Sequence, residues 1–73
     1  MNNKRGPDAL IRCGQALYGL NWKSDLTREL NLNQNRIKKW LNGDTIPPGV
    51  WDDIIKLLKQ RKIDIDDVLR DIE

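Results

Sequence analysis

Gln34 and Asn35 stand side by side, and Lys38 and Lys39 follow one helical turn later with Arg36 between the pairs. Each carboxamide offers a carbonyl and an amino group together, the pattern that pairs with adenine N6 and N7. Each lysine can reach guanine O6 and N7 or a phosphate oxygen. A catalytic reading lacks parts. The chain has no His and no Gly-rich phosphate loop, and neither Ser24 nor Cys13 has an evident activating base. One thiol without His is not a metal site. The acid pairs Asp52-Asp53 and Asp66-Asp67 are expected at helix starts, where the helix dipole accounts for them. The expectation is a binding protein, not an enzyme, with no metal and no cofactor.

Those side chains need a rigid element to present them. Residues 22–41 read as two short amphipathic stretches meeting at Asn31, the layout of a helix-turn-helix whose second helix enters a DNA major groove. Asn21 is the expected N-cap of the first stretch, with Ser24 as the rival, and the helix covers Trp22 to Leu30 with Leu26 and Leu30 inward. Asn31 falls where the turn calls for a left-handed residue, a conformation Asn tolerates best after Gly. Leu32 plugs the turn. Asn33 caps the next helix through its side-chain oxygen. Ile37, Trp40 and Leu41 face inward, and Asn42-Gly43 ends the helix.

The scaffold around this pair is also helical. Residues 1–6 form a polar, flexible arm. Pro7 suits a first helical position, and the first helix runs Pro7–Tyr18 to stop at Gly19, with Leu10, Cys13, Gly14 and Leu17 on one face. Gly14 is small where another helix can approach closely. Leu20 is expected to plug the core from the connection. After the rigid connector Asp44–Pro48, a fourth helix spans residues 48–62. Asp64 is expected to cap a last helix, residues 64–73, in which Ile65, Val68, Leu69 and Ile72 recur at helical spacing. The expected fold is all-α, five helices in one domain covering residues 7–73, with no strand pattern and no repeat.

Composition narrows the partners. Seventy-three residues, 38% hydrophobic, make a modest core, so self-association is plausible. The net charge of +2 hides an asymmetry. Residues 1–43 hold eight bases and three acids, whereas residues 44–73 hold five bases and eight acids. One part of the surface suits a polyanion and another suits something else. A single cysteine, no signal peptide and no membrane-spanning stretch point to the cytoplasm.

Leu26, Thr27, Leu30, Asn31, Leu32, Ile37 and Trp40, followed by Leu41-Asn42-Gly43-Asp44 and Pro47-Pro48, resemble the pattern of the phage Cro and lambda-repressor-like superfamily over about residues 9–60. Thr27 stands where that family favours Ala, and Asn31 where it favours Gly. More narrowly, Ala16-Leu17-Tyr18-Gly19 with Trp22, and Pro48-Gly49-Val50-Trp51, look like small phage regulators similar to the anti-CRISPR-associated autorepressors. The resemblance implies a lambda-repressor-like fold and a transcriptional repressor. By match to its recognition-helix positions, Asn33, Gln34, Asn35, Lys38 and Lys39 are base contacts, with Arg36 as an additional one. Lys23 and Ser24, at the second helix's N-terminus, suit phosphate, and Lys4 and Arg5 can follow the backbone or the minor groove from the arm.

Two carboxamides per half-site discriminate too little to select an operator in a genome, since a good bidentate pairing is worth roughly 1–3 kcal/mol. A homodimer on a palindromic operator in double-stranded DNA is therefore expected. Its interface would use the two C-terminal helices through Val50, Ile54, Ile65, Val68, Leu69 and Ile72. The alternative is a small helical protein–protein module such as an antitoxin or inhibitor, for which Lys38-Lys39 is only a solvated helix face.

Overall fold

In a computed structural model that describes residues 5–73, the chain is all-α. Helix α1 is Pro7–Tyr18, followed by a 3-10 turn at Gly19–Asn21. Helix α2 is Trp22–Glu29, α3 is Gln34–Leu41 and α4 is Pro48–Ile72. Lys4, expected to follow the DNA backbone, lies outside the described residues.

Local chemistry accounts for the helix ends. Pro7 opens α1 with its ring-fixed φ, Asp8 lies in the first turn, and Leu10, Gly14 and Leu17 are buried at spacings of four and three. Gly19 ends the helix at φ 78°, ψ −146°, a region open to glycine and hostile to a Cβ. Asn21 precedes α2 without a side-chain cap, because the 3-10 turn feeds directly into the helix. Thr27 is buried, and its hydroxyl donates to the Lys23 carbonyl one turn back, so the polar group is satisfied where α2 meets the core.

The core gathers Leu10 and Leu17 from α1, Trp22 and Leu26 from α2, Ile37 and Trp40 from α3, and Trp51 and Ile54 from α4. Ile46, from the connector, joins them. All three tryptophans are inside, which concentrates the aromatic area of a small protein where burial stabilises it most. Trp22 lies on Gly14. A Cβ at that glycine would stand 2.8 Å from Trp22 Cγ and nearer still to two other ring carbons.

Further expectations change. Leu20 does not plug the core; it is 91% exposed. The Trp22 indole takes the space over Gly14, and the 3-10 turn before it buries none of its residues. The two C-terminal helices are one, α4, of 25 residues. No Gly or Pro interrupts residues 50–72. Asp64 accepts from the Gln60 side chain at 3.1 Å as an interior helical residue and caps nothing. Asp66 and Asp67 accordingly sit within the helix, and Asp52 and Asp53 lie beyond its first turn, which holds no acid. Finally, Ile54 is fully buried in its own domain, so it cannot serve a dimer surface, and Val50 is half-buried against the same core.

A 25-residue helix is about 37 Å long. Only its first half packs on the domain: Trp51 and Ile54 are buried, and Val50, Leu57 and Leu58 are partly so. Every residue from Lys59 onward is exposed. The helix therefore leaves the globule as a spur, which agrees with a longest molecular dimension of 43 Å against 29 and 21 Å.

Candidate nucleic-acid interface

Helix α3 is held at both ends by hydrogen-bonded turns. Helix α2 closes with Asn31 N–H donating to the Arg28 carbonyl (3.2 Å) and Leu32 N–H donating to the Thr27 carbonyl (2.8 Å). That pair of bonds is a Schellman motif, and its left-handed position is filled by Asn31 at φ 55°. Leu32 packs on the core directly afterwards. Asn33 is extended, and its Oδ1 accepts from Asn35 N–H at 2.8 Å. At the far end, Gly43 N–H donates to Trp40 O (3.1 Å) and Asp44 N–H to Lys39 O (3.0 Å). This second Schellman motif turns on Gly43 at φ 113°.

Ile37 and Trp40 lock the inner face of α3, so the outer face is determined. At about 100° per residue, Asn35 and Lys39 lie opposite the buried edge, Arg36 and Lys38 flank them, and Gln34 sits at the side of the first turn. All five are exposed. No acid occurs from Leu30 to Gly43, so the face carries three cations and two carboxamides without an internal ion pair. Asn33 differs from its neighbours. Its oxygen already accepts one hydrogen bond in the cap, while its amino group has both donors free.

The remaining candidates surround this face unevenly. Lys23 and Ser24 are exposed in the first turn of α2. Arg5 is exposed and lines a shallow depression with Gly43–Ile46, Pro48 and Trp51, beside the exit of α3. Arg28 is committed to Asp25 at 3.2 Å on α2. The expected interface residues Ile65, Val68, Leu69 and Ile72 are exposed by 43 to 74% on the α4 spur, and Ile63 is exposed there as well. Sequence reasoning missed the burial of Ile46; its signal was an isolated aliphatic residue before two prolines. It also missed the contact of Arg61 with the Tyr18 ring, 5.7 Å from the centroid, which ties the base of the spur to the end of α1.

Among the described residues, no cluster of three or more His, Cys, Asp or Glu side chains could hold a metal ion. No helix there is long and apolar enough to cross a membrane. Comparison with protein-family models, with curated proteins and with solved structures finds no match.

Proposed function

We propose that this chain is a sequence-specific DNA-binding transcriptional repressor with a lambda-repressor-like helix-turn-helix, which binds an inverted repeat in a promoter as a homodimer. One observation carries the reading. An acid-free helix, capped at both ends and pinned by Ile37 and Trp40, presents Gln34, Asn35, Lys38 and Lys39 together to solvent. In this reading α3 lies in the major groove. Gln34 and Asn35 read base edges, Lys38, Lys39 and Arg36 contact bases or phosphates, and Asn33 offers its free amino group. Lys23, Ser24 and Arg5 engage the flanking backbone. Two copies place their α3 helices about one DNA turn apart, ~34 Å. A bound dimer covers the promoter and represses by exclusion. Occupancy follows protein concentration, which suits autoregulation of a phage or mobile-element operon, and the anti-CRISPR operons are the specific case the resemblance suggests.

The test is a gel-shift series on the DNA upstream of the gene in rising salt. The expected result is specific binding that weakens steeply with salt as phosphate contacts release counterions. Asn35→Ala should lower specific affinity by roughly 1–3 kcal/mol per half-site and leave random-sequence binding nearly unchanged. Lys38→Ala should reduce the salt slope by about one for each phosphate that its ammonium neutralises. Absence of upstream-DNA binding at low salt would sink the proposal and favour a protein–protein module.

A further inference from the structure

The α4 spur carries two opposite charge blocks. Residues 56–62 hold Lys56, Lys59, Arg61 and Lys62 and no acid. Residues 63–73 hold five acids and only Arg70 as a base. A largely apolar stripe, Leu58, Ile65, Val68 and Ile72 with Arg61 among them, runs along one side of both blocks. Contiguous depressions follow that stripe. One is lined by Ala9, Arg12, Cys13, Ala16 and Leu58, the next shares Ala16 and Leu58 and adds Arg61, Lys62, Ile65 and Asp66, and a third runs from Arg61 past Asp64 and Ile65 to Val68. The result is one trough, from the outer face of α1 onto the spur. Large aliphatics left at this exposure mark a contact surface.

We propose that the occupant of this trough is a second copy of the same chain, whose α4 runs antiparallel. Ile65 of the two copies meets at the two-fold axis, and Ile72 of each reaches Leu58 and the α1 groove beside Cys13 and Ala16 of the other. Charge decides the direction. Parallel spurs set base block against base block and acid block against acid block; antiparallel spurs set each against its opposite. With Ile65 on the axis, residues pair when their numbers add to about 130, which brings Leu58 to Ile72 and Lys62 to Asp66 or Val68. At about 100° per residue, Lys59, Lys62, Asp66 and Glu73 fall on one flank of the stripe, and that flank meets its own copy across the axis. The proposal deepens the dimer of the preceding reading and rests on it for the second copy; DNA contact is not required.

Sedimentation equilibrium of the full chain tests it through exposed residues, whose substitution leaves the core intact. Lys59→Asp with Lys62→Asp should weaken the dimer by roughly tenfold, and Asp66→Lys with Glu73→Lys by a similar factor. Mixing the two double variants should restore association to near the wild-type level as a heterodimer. A loss of helix content within one chain would persist in the mixture, so recovery assigns the effect to contacts between copies. Ile65→Asp should abolish dimers while circular dichroism stays helical. A wild-type dimer indifferent to both double variants overturns the antiparallel register and leaves the dimeric repressor standing. A chain that stays monomeric, free and on its operator, overturns the pairing and the dimeric part of the functional reading together.

Discussion

Gly14→Ala sets two physical effects against each other. Gly14 is a helical residue, so helix propensity alone favours the alanine by about 1 kcal/mol. Packing opposes it. The new Cβ would sit 2.8 Å from Trp22 Cγ and closer to two further ring atoms. Trp22 is only 3% exposed and has no solvent side to retreat to. Overpacking of a well-filled core costs about 1–3 kcal/mol, and three close approaches to a rigid bicycle place this site near the upper end. The net expectation is destabilisation of about 2 kcal/mol, or about 8–16 °C in Tm for a domain this small. Thermal melts followed by circular dichroism measure it. Trp22→Leu provides the second arm. That change is destabilising by itself because it opens a cavity, but in its background Gly14→Ala should become neutral or stabilising. If Gly14→Ala raises Tm, or costs the same beside Trp22 and beside leucine, then α2 does not dock on α1 through this glycine.

The turn that orients α3 makes a backbone prediction. Asn31→Gly should be neutral or slightly stabilising, whereas Asn31→Ala should cost about 1–2 kcal/mol, because φ 55° is left-handed; equal urea midpoints for the two variants would contradict this. Cys13 and Tyr18 make a prediction about pH. Burial raises the Cys13 thiol above its ordinary value of 9.0, and burial with Glu29 nearby raises the Tyr18 hydroxyl above 10.0. In both cases the folded state holds its proton more tightly than the unfolded chain does. Their contribution to stability is therefore complete below those ordinary values and is lost as pH rises through the elevated folded ones. Cys13→Ala should lose less stability than wild type between pH 7 and about pH 10.5 in urea titrations, and parallel pH profiles would refute the assignment.

The polar half of the candidate site was legible because its signals are local. Asn31, Asn33 and Gly43 announce a left-handed turn, a cap and a helix exit through their own φ preferences and side-chain oxygens, all acting within a few residues. The apolar half was harder. Ile54 and Ile65 both lie on helical stripes, and periodicity alone does not say that the first belongs to its own core and the second to open surface. Asp64 after Ile63 reads locally as a cap, yet a helix stops only where something compensates for the forfeited hydrogen bonds. Here no fold-back packing competes with continuation, and the Gln60–Asp64 pair supports it.

The chain's residues, taken in order, determined the helical class, most helix ends and which side chains of residues 33–39 are polar, since these follow from propensity, capping and backbone sterics over one or two turns. Only the folded arrangement decided that Trp22 takes the place over Gly14 while Leu20 stays outside, that Ile46 enters the core, and that α4 runs on past Leu58 as a spur. The third turns on the lack of packing that would fold the helix back; the first two turn on which of several apolar groups fills a given volume. Such competition among residues distant in sequence is settled by three-dimensional packing, and no local pattern encodes its result.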